Sequence, residues 1–283
     1  MTEPTPSIVV TGSTGHLGGR VARRLAAAGV AQRLLVRDPD RAPRLDGATV
    51  RQARFGDRAA CEAGLAGVPT ALMVSAAETP DRVEQHRTFI DAAATAGVPH
   101  LVYISFYGAA PDATFTLARD HWATEEHLRA SGLNFTVLRD NLYADFLPFM
   151  VGSDGIIRGP AADGRVAVVA QDDIADAAVA VLTRPAGHTG RTYSLTGPQA
   201  LTFDEIAEIL SGTTGRTVTY HAETIEEAYR SRIPYGAPDW QVDAWVSTYT
   251  AIAKGEMAGV TDDVPALTGH PATTLVDLLR RPT

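Results

Sequence analysis

Ile8-Val9-Val10-Thr11-Gly12-Ser13-Thr14-Gly15-His16-Leu17-Gly18 is the stretch from which the fold is read. Ile8 to Val10 is an unbroken apolar run, as expected of a strand covered on both faces of a parallel sheet. Leu17, Val21, Leu25 and Ala28 recur at helical spacing up to Gly29, a residue suited to a helix C-terminus. The glycines therefore sit on a strand-to-helix turn, where free backbone N–H groups and a helix N-terminus meet a phosphate. The spacing Gly-x-x-Gly-x-x-Gly is a relative of the dinucleotide fingerprint. Gly12 allows the tight turn, Gly15 lets a pyrophosphate approach the backbone, and Gly18 lets helix and strand pack closely. In this context Thr11, Gly12, Ser13, Thr14, Gly15, His16, Leu17 and Gly18 are expected to bind a dinucleotide. A purely structural glycine turn is the alternative.

Further strands are expected at 33–37, 50–55, 70–75, 101–105 and 135–139, and helices at 58–66, 80–96 and 117–130. Apolar strands alternating with helices are the pattern of an α/β doubly wound parallel sheet, a Rossmann fold. A closed eight-fold barrel needs more regular units and leaves the glycine turn unexplained. After Arg139 the rhythm changes. A strand at 166–170, a helix from Ile174 with Asp172 or Asp173 as N-cap, and a strand at 191–196 follow. Thr202 and Glu205 have capping-box spacing, and helices are expected at 225–232, 240–255 and 273–281. The domain reading is a dinucleotide-binding domain over 1–140 to which 165–196 returns. A smaller, mostly helical lobe comprises 141–164 and 197–283, with ligands expected between the lobes above the strand ends.

The bulk properties exclude several functions. A net charge of −8 with no basic stripe argues against nucleic acid. No apolar segment approaches a membrane span, and residues 1–7 read as a frayed tail rather than a signal peptide. Cys61 is the only cysteine, so no internal disulfide forms, and it reads as core filler. The histidines show no metal-ligand spacing, so no metal is expected. These features point to the cytoplasm and leave a homodimer open.

The residue ending the second strand selects the cofactor. An acidic residue there holds a ribose 2′-hydroxyl, whereas here it is Arg37, which can clamp a 2′-phosphate. NADP(H) is therefore favoured and NAD(H) remains open, since Asp38 follows immediately. Asp57 is placed to meet the adenine edge or to cap the next helix. Ser75 and Ala76 leave room for the nicotinamide ribose.

Thr11–Gly18, Arg37, Phe55-Gly56-Asp57, Ile104-Ser105, His121-Trp122-Ala123-Thr124-Glu125 and Leu138-Arg139-Asp140-Asn141-Leu142-Tyr143 together resemble the NmrA-like branch of the atypical short-chain dehydrogenases/reductases. Within it the chain is similar to NADPH-dependent quinone oxidoreductases and triphenylmethane reductases. The resemblance implies direct hydride delivery from NADPH to a planar conjugated acceptor, a small aromatic or quinone-like molecule. Conventional members of the wider family use Tyr-x-x-x-Lys as acid and pKa modulator. Lys254 is the only lysine here and no tyrosine stands four residues before it. Acceptors that take hydride without a strong protein acid therefore fit better. Ser105, Tyr107, His121 and Tyr143 are the candidate catalytic groups, with Ser105 also a cofactor contact. His121, with an ordinary pKa near neutrality, is expected to bind the ribose or donate a proton; otherwise it packs with Glu125. Phe106, Tyr107, Asn141, Tyr143, Phe146 and Trp240 are the candidate substrate contacts, Asn141 for a carbonyl and the aromatics as a wall. Two other readings share these residues: a non-catalytic dinucleotide-sensing regulator of the NmrA type, and a redox tailoring enzyme of aromatic polyketide-type metabolism.

Overall fold

A computed structural model describes residues 6–281. The tail expected over 1–7 lies outside these residues up to Thr5, while Ser7 already hydrogen-bonds the Ala31 carbonyl through its backbone N–H (2.9 Å). The order of elements is β1 Ile8–Thr11, α1 His16–Ala27, β2 Gln32–Val36, β3 Ala48–Gln52, α2 Arg58–Leu65, β4 Thr70–Met73, α3 Arg82–Thr95, β5 His100–Phe106, α4 Thr116–Ala130 and β6 Asn134–Asp140. There follow β7 Ile156–Gly159, α5 Gln171–Thr183, β8 Arg191–Leu195, α6 Phe203–Thr214, β9 Thr219–Ala222, α7 Ile225–Arg232, α8 Asp239–Ala253, α9 Asp263–Thr268 and α10 Leu275–Leu279.

Seven strands form one sheet in the order β3-β2-β1-β4-β5-β6-β8, the doubly wound arrangement. β1 pairs in parallel with β2 on one side (Val9 opposite Arg33) and with β4 on the other (Val9 opposite Ala71). The strand order therefore reverses between β1 and β4, which opens a crevice at their carboxyl ends. Successive strand residues face opposite sides. Val9, Leu35, Ala71, Met73, Leu101, Tyr103 and Val137 share one core with Leu65 of α2, Phe89 and Ile90 of α3 and Leu128 of α4. Their neighbours Val10, Leu34, Leu72 and Val102 are fully buried on the other face, where α1 and α5 pack together.

The chain divides into two compact units. One runs to Phe106 and takes in Asp120–Arg139 and Gln171–Tyr193; the other comprises Tyr107–Arg119, Asp140–Ala170 and the chain from Ser194 onward. In the second unit β7 and β9 form a small parallel sheet. Phe203 of α6 is buried, with the rings of Tyr220 and Tyr249 both 5.2 Å away.

Several local expectations need correction. Residues 166–170 make only isolated bridges, Tyr143 to Val169 and Val166 to Leu201, and no ladder. β3 ends at Gln52, so Ala53–Phe55 is not strand. α5 begins at Gln171, which places Asp172 and Asp173 inside its first turn rather than at the cap. Asp172 instead accepts from Arg20 Nε (3.2 Å) and Arg24 Nη2 (2.7 Å) of α1. β7 and α9 had no expected counterpart, because Ile156-Ile157 is too short a run to show a period. The Thr202–Glu205 capping box is present, and Thr224–Glu227 forms a second one at α7.

The turn between β1 and α1 depends on missing side chains. Gly12 has φ +66, in the left-handed region, and a Cβ there would lie 3.0 Å from Val74 Cβ. A Cβ at Gly18 would run into the Gly12 carbonyl, which is backbone and cannot swing aside. Gly18→Ala is therefore expected to destabilise the fold by about 1–3 kcal/mol through overpacking. Gly187→Ala, where a Cβ meets nothing within 4 Å, serves as the control. Urea titrations compare the two, and equal midpoints would contradict the close approach.

Candidate active site

The phosphate-facing end of α1 is open. Gly15 is the N-cap, no side chain caps the helix, and its first turn carries no acidic residue. The leading N–H groups are thus left to whatever anion approaches. The Ser13 hydroxyl is buried and has no hydrogen-bond partner among the described residues. A cavity of about 290 Å³ is lined by Ser13 to His16 together with Arg23, Arg41 and Pro43. Small residues, unsatisfied donors and two guanidinium groups are the donor set a pyrophosphate or phosphate monoester requires. A dinucleotide phosphate therefore fits these residues.

The other residues of the glycine stretch divide by role. Thr11 is buried and its Oγ1 accepts the Val74 N–H (2.9 Å), pinning β1 to the segment after β4. Leu17 is core, while Thr14 is half-buried and His16 exposed. Arg37 is exposed just past β2, its carbonyl accepting from Gln52 (3.1 Å). Asp38 caps the 3-10 turn Pro39–Arg41 by accepting the Asp40 N–H (3.1 Å). That turn carries Arg41 into the lining of the cavity. Arg23 and Arg41 were not singled out from the sequence, because nothing distinguishes them there from other surface arginines. Asp57 caps α2 through the Ala60 N–H (3.0 Å). Cys61 is buried and its thiol is pushed up to about 12, foremost by burial.

Beyond β4, the half-buried segment with Ser75 and Ala76 is held by α3. The Ala76 N–H donates to His86 Nε2 (2.8 Å), and the Ala76 carbonyl accepts from Arg82 Nε (3.1 Å). Both polar groups of one residue are thus fixed by side chains one turn apart. Arg82 also reaches His121 Nε2 (3.0 Å), and Tyr103 Oη lies 2.8 Å from His121 Nδ1. Arginine only donates, so His121 Nε2 accepts and Nδ1 carries the proton toward Tyr103. By the same logic His86 Nδ1 donates to Thr124 Oγ1 (2.9 Å), which itself donates to the Asp120 carbonyl (2.8 Å).

His121 is accordingly not the near-neutral group expected from the sequence. It is buried, both ring nitrogens are engaged, and its pKa lies well below the ordinary value, first through burial and then through Arg82. His86 is held down to about 3 for the same reasons.

Glu125, one turn beyond His121, has no exposed surface. Its Oε1 accepts from Ser105 (2.6 Å) and Arg139 Nε (2.8 Å); its Oε2 accepts from Arg139 Nη2 (2.7 Å) and Arg129 Nη2 (2.7 Å). A carboxylate has about four acceptor positions, and these bonds fill them. Ser105 is therefore a buried donor to Glu125 rather than an open end of β5. His121 and Glu125 have the same one-turn spacing as Tyr-x-x-x-Lys, but they are spent on holding β5, α4 and β6 together.

In the second unit, Tyr107, Asn141 and Tyr143 come together around Asp140. The Tyr107 N–H donates to the Asp140 carbonyl (2.8 Å) and Tyr143 Oη donates to Asp140 Oδ2 (2.8 Å). Asn141 is fully buried; its Nδ2 donates to the Met257 carbonyl (3.0 Å) and its Oδ1 accepts the Leu142 N–H (2.8 Å). Its amide is thus committed to the backbone rather than open to a substrate carbonyl. Phe106 is half-buried with its ring 6.2 Å from His121. Phe146 is 55 % exposed beside Phe149, 6.1 Å between ring centres, and Trp240 is half-buried on α8.

The neutral histidines carry a pH signature. In the unfolded chain both titrate near about 6.5. Below that value the unfolded state binds more protons than the folded one, so stability falls as pH drops toward the His86 value of about 3. By pH of about 5, His86 alone accounts for about 2 kcal/mol of the loss. Denaturant titrations at neutral pH and at pH of about 5 are expected to show a smaller acid loss in His86→Gln than in the wild type. Equal losses would contradict the assignment. Separately, Glu125→Ala strands Arg139 and is expected to lower stability by about 3–5 kcal/mol, read as a shift in denaturation midpoint.

Comparison with known proteins identifies the family of the chain. The model of the NmrA-like family matches residues 4–259. The NADPH-dependent quinone oxidoreductase of Escherichia coli, solved with NADPH, is 34 % identical, with 96 % of this chain and 98 % of that one covered and a TM-score of 0.88. An NAD(P)H azoreductase of Xenophilus azovorans is 34 % identical over 96 % of both chains. The triphenylmethane reductase of Citrobacter sp., solved with NADP(H), is 32 % identical, covering 97 % and 99 %, with a TM-score of 0.87. A structure of the negative transcriptional regulator NmrA is similar at 17 % identity, which shows the fold alone. With a family model spanning nearly all of its described residues, the chain belongs to the NmrA-like family.

Proposed function

We propose that the chain is an NAD(P)H-dependent oxidoreductase, with NADP(H) the favoured cofactor, that reduces a quinone-like or other planar conjugated acceptor. The observation that carries this reading is the pairing of an open anion cradle with a closed acid–base position. The cradle of Ser13–His16 at the start of α1 accepts a phosphate, and Arg23 and Arg41 add positive charge beside it. Ser105, His121 and Glu125 meanwhile have their hydrogen bonds internally filled. The bound dinucleotide supplies hydride; this chain's residues bind and orient it. Arg37 and Arg41 hold the 2′-phosphate, Asp57 borders the adenine, and the clamped Ser75-Ala76 segment sits against the nicotinamide ribose. Phe106, Tyr107, Tyr143, Phe146 and Trp240 supply the aromatic contacts for a flat acceptor.

The relatives' activities support reduction over sensing, since the likeness to the regulator extends only to the fold. Among the described residues no helix is long and apolar enough to cross a membrane. The reading carries with it a cytoplasmic enzyme that does not act on nucleic acid, with a homodimer as the assembly to test.

Each charge-assisted hydrogen bond to a phosphate contributes about 1.5–3 kcal/mol, or about ten- to a hundred-fold in affinity. Arg37→Ala and Arg41→Ala are each expected to weaken NADPH binding by about that factor and to leave NADH binding within about threefold. Fluorescence titration of the reduced nicotinamide reads both constants. An unchanged NADPH-to-NADH ratio in both variants removes the 2′-phosphate assignment. Oxidation of NADPH in the presence of a quinone panel tests the activity itself, and no turnover despite tight cofactor binding overturns it.

A further inference from the structure

Acceptors of hydride fall into two chemical groups. A quinone or azo compound is left with an anionic oxygen or nitrogen that must gain a proton. A delocalised carbocation is neutralised by hydride and needs none. An enzyme serving the first group benefits from a proton donor. Three of the four hydroxyl or imidazole candidates have their protons committed. Ser105 donates to Glu125 (2.6 Å), His121 Nδ1 faces Tyr103 (2.8 Å), and Tyr143 donates to Asp140 (2.8 Å).

Tyr107 differs. It is the first residue past β5, at the carboxyl edge of the sheet where ligands of this fold class bind. Its hydroxyl makes no hydrogen bond among the described residues, and the side chain is half-exposed. Its backbone is nevertheless held. The Tyr107 N–H is bound to Asp140 (2.8 Å). The loop it opens is latched at Thr114, whose N–H and Oγ1 donate to Glu256 (3.1 and 2.5 Å) and whose Oγ1 accepts from Lys254 Nζ (2.9 Å). Gly259 completes the arrangement, because a Cβ there would occupy the position of the Tyr107 hydroxyl. The loop after Tyr107 is thus anchored at Thr114, and Gly259 leaves room for its open phenol.

We propose that Tyr107 is the catalytic proton donor for acceptors that become anionic on hydride transfer; this rests on the hydride-transfer reading above. The acceptor takes two electrons and one hydrogen as hydride from the reduced nicotinamide. The Tyr107 Oη–H bond breaks as an O–H or N–H bond forms on the acceptor's anionic atom. The electron pair stays on the phenolic oxygen, which regains its proton from water. The nicotinamide is oxidised, the acceptor is reduced, and one solvent proton is consumed. A cationic dye skips the proton step.

The test compares a neutral quinone with a triphenylmethane cation under saturating NADPH. Tyr107→Phe is expected to lower the quinone-to-cation ratio of kcat by about 10²-fold. Gly259→Val, which crowds the hydroxyl without deleting it, is expected to lower the ratio in the same direction. Where only the quinone is turned over, the pH profile decides. The wild type stays flat across neutral pH, whereas Tyr107→Phe must draw on hydronium and accelerates by about tenfold per unit of acidification. An unchanged ratio, or parallel pH profiles in a folded variant that still binds NADPH, overturns the role of Tyr107 and leaves the oxidoreductase reading standing. Failure of the wild type to reduce any acceptor overturns both.

Discussion

A carboxylate with no exposed surface sets the terms for the rest of the first unit. Burying Glu125 costs several kcal/mol of lost hydration, and only full hydrogen bonding with opposite charge offsets that cost. The chain supplies it from a strand on each side and from the same helix: Ser105 on β5, Arg139 on β6 and Arg129 on α4. Trp122 lies under the Arg129 guanidinium at 5.3 Å and steadies the outermost partner. This network fixes α4 against the sheet where an acid–base pair would otherwise stand. The chemistry left to the site follows from that. Ser105, His121 and Glu125 are held by one another's neighbours, so none of the three stands there as an open acid or base.

The second constraint is the cation next to two imidazoles. Arg82 is 5 % exposed and bonds His121 and the Ala76 carbonyl, while His86 takes the Ala76 N–H. A fixed guanidinium beside two desolvated rings makes a second positive charge costly, so both rings stay neutral and each keeps one tautomer. Both polar groups of the Ala76 backbone are held as a result. That segment lies at the crossover point of the doubly wound sheet, the place where this fold class binds its ligands.

Legibility in the sequence followed the range of the interactions. The glycine turn, the alternation of strands and helices along the chain through β6, the capping box at Thr202 and the missing Tyr-x-x-x-Lys are local, and spacing alone reveals them. The strand expected at 166–170 failed because apolar β-branched residues there are buried without ladder partners. Asp172 reads as a cap by residue type, yet two arginines of α1 claim its carboxylate. Asn141 reads as a site residue because it follows a strand end, and His121 because it is an imidazole one helical turn from Glu125. Met257 and Arg82, distant in sequence, absorb them instead. Arg41 had no local signal at all, since a 3-10 turn of three residues carries no period.

By itself the sequence determined the cradle. Gly12 and Gly18 admit no side chain there, so the strand-to-helix turn and its exposed N–H groups follow from residue identity. It also determined that no tyrosine–lysine pair exists. Only the tertiary structure decided which polar groups remain open. Ser105, Tyr107, His121 and Tyr143 are equivalent as candidates on paper. Hydrogen bonds commit three of them, Ser105 to Glu125 and His121 to Tyr103 across separate elements and Tyr143 to Asp140 three residues before it, while packing against Gly259 leaves the Tyr107 hydroxyl unpaired. Availability of a proton is a property of a side chain's surroundings, and those surroundings exist only once the chain has folded.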